Sequence, residues 1–101
     1  MMETVKTTEG SSLTLLLKGR LDTTAAPEVI KELDTLLVEG VESFTLDMAE
    51  CDYVASSGLR AVLGAQKKMN ALGGTMVVKN VCDSVMEVFE ITGFADILTI
   101  E

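Results

Sequence analysis

Short apolar runs of period two alternate with longer stretches of helical period from Leu13 to Ile100, and glycines mark most of the changes. Leu13-Thr14-Leu15-Leu16-Leu17-Lys18 is rich enough for a central strand. The turn cluster Glu9-Gly10-Ser11-Ser12 joins it, as a hairpin, to the weakly alternating segment Thr4 to Thr8. Leu21-Asp22-Thr23-Thr24 then precedes a helical pattern of Val29, Ile30, Leu33, Leu36 and Leu37. Pro27 stands in its first turn, where a missing N–H costs nothing. The spacing predicts a first helix from about Thr24 to Glu39, stopped by Gly40. Ser43 to Met48 reads as a strand, followed by an acidic loop, Ala49-Glu50-Cys51-Asp52, and Tyr53-Val54. Leu59, Val62, Leu63, Gln66 and Met69 set a second helix, from Ser56 to the Gly73-Gly74 pair. Thr75 to Lys79 is a strand, Cys82 to Thr92 a short helix stopped by Gly93, and Ile97 to Ile100 a final strand.

The predicted order is therefore ββαβαβαβ, one α/β domain over residues 1–101. Parallel strands need crossover connections, and right-handed ones dominate, so a mixed sheet is expected. It is mainly parallel with an antiparallel N-terminal strand, and its helices lie mainly on one face. A chain of 101 residues with 48% hydrophobic residues can bury a core without disulfide or metal staples. Met69, Met76 and Met86, three of six methionines, are read as core filler.

Composition then removes whole classes of activity. There is no histidine, which excludes Ser-His-Asp triads, Cys-His pairs and His-ligated metals. A net charge of −8 argues against nucleic acid, whose phosphates are bound by clustered Lys and Arg. Cys51 and Cys82 form no CxxC or metal-like cluster and read as buried small hydrophobes in a reducing compartment. Met1-Met2-Glu3 starts no basic-then-apolar leader, and no apolar run approaches the ~20 residues of a membrane span. A soluble cytoplasmic protein with no membrane association, no cofactor and no metal ion is expected.

Chemistry concentrates at Val54-Ala55-Ser56-Ser57-Gly58-Leu59, a strand-to-helix junction with two hydroxyls at its turn. One reading is structural: serine is a preferred N-cap, although no Glu or Gln follows either serine by three residues to complete a capping box. The other is regulatory: a helix N-terminus offers free N–H donors and partial positive charge, so it tolerates a phosphate on Ser56 or Ser57. Self-contained catalysis is not expected, because VASSG is not the GxSxG elbow and no base accompanies it. Nor is there a GxxxxGK[ST] or GxGxxG loop to hold a nucleotide, so any phosphate must come from a partner kinase.

Gly19-Arg20-Leu21-Asp22, Ser56-Ser57-Gly58-Leu59, Gly73-Gly74 and Phe89-Glu90-Ile91-Thr92-Gly93-Phe94 stand in this order over nearly the whole chain. On that basis the chain resembles the STAS domain family, above all its stand-alone bacterial anti-sigma factor antagonists. The resemblance implies a non-enzymatic partner switch acting on transcription, as in stress responses. The unphosphorylated protein would bind an anti-sigma factor that is also a serine kinase, freeing the sigma factor. Phosphorylation of Ser56, with Ser57 as the alternative, would abolish binding, and a PP2C-type phosphatase would restore it. Ala55 stands where such relatives often carry Asp.

The partner-binding face is expected to include Asp22, Thr23, Ser57, Gly58, Leu59, Arg60 and Lys67. Asp22 could equally cap the first helix. Arg60, Lys67 and Lys68 form a basic stripe that is either a solvated helix face or a guide to an acidic groove on the kinase. Two other readings stay open: a STAS module that binds a nucleotide or lipid, and a scaffold subunit of a stress-signalling complex.

Overall fold

The computed structural model describes residues 2–101; Met1 lies outside them. Strands β1 (Glu3–Glu9) and β2 (Ser12–Leu21) form the hairpin, followed by α1 (Ala25–Leu36), β3 (Ser43–Val54), α2 (Ser56–Ala71), β4 (Thr75–Lys79) and α3 (Asp83–Thr92). The strand order is β1-β2-β3-β4. β1 pairs antiparallel with β2, whereas β2–β3 and β3–β4 are parallel, so the sheet is mixed as expected.

Period-two alternation divides the sheet into two unlike faces. Leu13, Leu15 and Leu17 of β2, Phe44, Leu46 and Met48 of β3, and Met76 and Val78 of β4 are buried on one side. Their neighbours Thr14, Leu16, Thr45, Asp47 and Val77 are only partly covered on the other. The buried face receives Val29 and Leu33 of α1, Val62, Ala65 and Met69 of α2, and Val85 and Phe89 of α3. At about 25 cal/mol per Å² of apolar area, this one-sided layer supplies most of the gain on folding.

Helix bounds follow local signals closely. Gly93 adopts φ +82° and ends α3, the left-handed stop that favours glycine. α1 is shorter than its pattern predicts: Leu37 leaves helical geometry at φ −90°, ψ 83° and remains buried, three residues before Gly40.

Two expectations are corrected. The supposed acidic loop at Ala49–Asp52 is strand, because β3 runs on to Val54 beside an equally extended β2. β3 carries two extra residues there: Leu16/Lys18 face Asp47/Glu50, and Gly19/Arg20 face Cys51/Tyr53. Each bulge puts two neighbouring residues out of alternation, which hides the strand from a period-two reading. The Asp47 carboxylate accepts the Ala49 N–H at 3.0 Å and the Asn80 amide at 3.0 Å, holding the first bulge.

The expected final strand at Ile97–Ile100 is reduced to one parallel bridge between Val78 and Ile100. Phe94–Asp96 forms a 3-10 turn, and the Ile97 and Leu98 amides are spent on the Phe94 carbonyl at 3.0 and 2.9 Å. Only the Thr99 carbonyl and the Glu101 amide reach Val78, at 2.8 and 2.9 Å.

Candidate functional site

Parallel strands bring their C-terminal ends, and the helix starts that follow them, to one edge of the sheet. Here that edge gathers the ends of β2 and β3 with the first turns of α1 and α2. The Leu21 carbonyl accepts the Ala55 N–H at 2.9 Å, locking the two strand ends together immediately before α2.

Ala55 is the N-cap of α2, extended at φ −82°, ψ 169°, and its carbonyl accepts the Leu59 N–H at 3.0 Å. Alanine has no side-chain acceptor, so the first-turn amides of α2 have no side-chain cap. The structure therefore corrects the capping reading of the serines, which lie one and two residues inside the helix. Ser56 is exposed, whereas the Ser57 Oγ is buried and has no hydrogen-bond partner. The Ser57 hydroxyl is therefore less accessible than that of Ser56.

Gly58 and Leu59 follow on the inner side of α2. Both are buried, Leu59 at 8% exposure, and seat α2 on the sheet. Asp22 is half-buried and caps α1. Its Oδ1 accepts the Ala25 N–H at 2.8 Å and the Thr24 N–H at 3.1 Å, while its carbonyl accepts the Ala26 N–H at 2.9 Å. Thr23 beside it is exposed.

The Ala25 amide, with smaller contributions from Thr24 and Arg20, holds the Asp22 carboxyl below the usual aspartate value against the opposing effect of desolvation. A carboxylate depressed in the fold contributes stability above its unfolded pKa of about 3.9, and loses it as pH falls through the lower folded value. Wild type should therefore lose thermal stability below about pH 4 more steeply than Asp22→Asn, whose amide oxygen caps without titrating. Parallel melting curves from pH 2 to 7 would contradict this assignment.

The basic stripe is only partly free. Lys68 Nζ lies 2.9 Å from Asp34 of α1, whereas Arg60 and Lys67 are exposed and form no ion pair among the described residues. Arg60 borders the serine turn, while Lys67 stands roughly 16 Å along the helix axis from Ser56 at 1.5 Å per residue. A pair the sequence did not single out lies at the same edge: the Arg20 guanidinium covers the Tyr53 ring at 4.1 Å from its centroid. Its only signal was adjacency in register, which the bulges conceal.

A cleft of about 390 Å³ is lined by Met2, Asp22, Thr24, Ala25 and Glu28. Its two carboxylates suit neither a nucleotide nor an anionic lipid head group. Among the described residues no group of three or more His, Cys, Asp or Glu side chains is placed to hold a metal. No helix there is long and apolar enough to cross a membrane.

A four-stranded mixed sheet with its helices on one face defines a small domain of the α/β class. The chain belongs to the STAS domain family, whose model matches residues 3–101. BtrV of Bordetella bronchiseptica is 33% identical over 84 residues, 83% of this chain and 72% of its own length. The anti-sigma-B factor antagonist of Listeria monocytogenes is 28% identical over 97 residues, 96% of this chain and 85% of its own. In fold, the chain is similar to the anti-sigma factor antagonist SpoIIAA. The unphosphorylated form gives a TM-score of 0.76 at 19% identity, covering 100% of this chain and 87% of SpoIIAA. The phosphorylated form, from Bacillus, gives 0.76 at 20%, covering 98% and 91%.

Proposed function

We propose that this chain is an anti-sigma factor antagonist that works by partner switching, with Ser56 as its phospho-acceptor. Unphosphorylated, it binds an anti-sigma factor that is also a serine kinase and so releases a sigma factor. Phosphorylated on Ser56, it lets the kinase go, and a PP2C-type phosphatase resets it. The observation that carries this reading is the contrast between the two serines: Ser56 is exposed at the uncapped α2 start, and the Ser57 oxygen is buried.

The chemistry is compatible with the site. Free first-turn amides and the helix dipole favour an added anion at Ser56 by a few tenths to about 1 kcal/mol, so the modified fold survives. The kinase supplies ATP and the base, since this chain has no histidine and no phosphate-binding loop. Thr23, Arg60 and the Arg20–Tyr53 pair, exposed at the same end of the sheet as Ser56, make up the exposed part of the partner face in this reading, with Lys67 at its far end. The relatives named as anti-sigma factor antagonists support the same partner class.

Incubation with ATP and the anti-sigma kinase from the same organism should add a single phosphate, read by intact mass and mapped to Ser56. Ser56→Ala should remain unmodified while Ser57→Ala is modified like wild type. A phosphate that persists in Ser56→Ala would overturn the assignment.

A further inference from the structure

Five residues before the serine, a second chemical feature is built between β3 and the start of α3. Cys51 faces the core at 2% exposure, with its Sγ 3.5 Å from the Tyr53 carbonyl. Cys82, half-buried, is the N-cap of α3, and its Sγ lies 3.6 Å from the backbone carbonyl of Cys51. Both thiols are free, although 31 residues separate them in sequence.

Ser84 completes the arrangement. Its Oγ lies 3.4 Å from the Cys82 sulfur and 3.4 Å from the Asp52 carbonyl. While Cys82 is a thiol, its S–H donates to the Cys51 carbonyl and the Ser84 hydroxyl donates to Asp52. When the sulfur is ionised, the same hydroxyl can turn to it, and the first-turn amides of α3 add their partial positive charge. The Ser84 hydroxyl and then the Val85 amide hold the Cys82 thiol below the ordinary cysteine value, with desolvation and then the Asp52 charge opposing them. Burial, the dominant influence on Cys51, pushes that thiol up. The pair is thus unequal: a half-buried cysteine on an activating helix start, with its sulfur against the backbone of a buried one.

We infer that Cys82 and Cys51 form a peroxide-responsive dithiol, Cys82 being the attacking sulfur and Cys51 the resolving one. The Cys82 thiolate attacks one oxygen of a hydroperoxide, the O–O bond breaks, and the other oxygen leaves as water or an alcohol after taking a proton. The Cys82 sulfur, oxidised by two electrons, now carries a hydroxyl as sulfenic acid. Cys51 releases the Tyr53 carbonyl and attacks that sulfur. The hydroxyl departs with the Cys51 proton as water, and an S–S bond joins β3 to the start of α3. The link is made on the strand that leads directly into Ser56.

The test uses the reduced, full-length chain and hydrogen peroxide, with free thiols alkylated before intact mass is measured without reductant. The expected product is a monomer lighter by two hydrogen atoms, with no alkylated cysteine and a Cys51–Cys82 cross-linked peptide after digestion. Reductant should restore both thiols. Cys51→Ala should stop at a Cys82 sulfenic acid that dimedone captures, and Cys82→Ser should leave Cys51 unoxidised. Two alkylated thiols after peroxide, a disulfide formed only between chains, or a dimedone adduct that accumulates on wild type would each overturn the proposal. The wild-type result does not depend on either variant folding.

Discussion

Phosphorylation of Ser56 should weaken binding to the anti-sigma partner by about a hundredfold or more, equivalent to about 3 kcal/mol, without unfolding the protein. The modification adds about −1.5 to −2 charge at pH 7 to a side chain that is exposed in the free protein. In the free state water and the α2 start solvate that charge. In a complex it must be desolvated, and it is added to a chain already at −8. Titration calorimetry of the phosphorylated and unphosphorylated forms against the kinase measures the effect, and Ser56→Asp should reproduce part of it. Thermal midpoints should agree within a few degrees. Equal affinities would remove the electrostatic mechanism; a collapsed melting transition would show that the phosphate acts through the fold instead.

Two glycines of α2 should respond to alanine with opposite signs. A Cβ on Gly58 would lie 2.7 Å from the Leu21 carbonyl oxygen, 2.8 Å from Leu21 Cγ and 3.1 Å from Val54 Cγ1. The carbonyl cannot easily yield, because it accepts the Ala55 N–H at 2.9 Å and ties β2 to the helix start. Overpacking costs about 1–3 kcal/mol and outweighs the ~1 kcal/mol that alanine gains over glycine in a helix. Gly58→Ala should therefore be destabilised, with a melting midpoint lower by roughly 4–8 °C for each kcal/mol lost. A Cβ on Gly64 meets nothing within 4 Å, so Gly64→Ala should be stabilised by up to about 1 kcal/mol. Urea unfolding of both variants decides the point. A Gly58→Ala protein as stable as wild type would mean that α2 can lift from Leu21 without loss. Because Gly58 sets the height of the turn that carries Ser56, the same variant should also bind the partner less well.

The architecture was legible wherever local pattern suffices. Leu13, Leu15 and Leu17 alternate onto one face, Val29 and Leu33 recur at helical spacing, and Gly93 stops α3 where a left-handed residue is needed. The strand-to-helix junction that carries Ser56 and the turn at Asp22 before α1 were equally visible, since each sits at a change of period. Less was visible where two segments must meet. The bulges of β3 depend on how it registers against β2, and the final strand shrinks to one bridge because the Phe94 turn takes its amides.

Sequence alone thus determined the kinds of elements, their order, the absence of a histidine base and the pair of candidate serines. Periodicity and turn chemistry act within a few residues, so they survive a linear reading. Tertiary structure decided which hydroxyl is accessible, which glycine of α2 is crowded, that Asp22 caps while Lys68 is tied to Asp34, and that Cys82 meets Cys51. Each of those depends on distances between residues far apart in the chain, which only packing and strand register set.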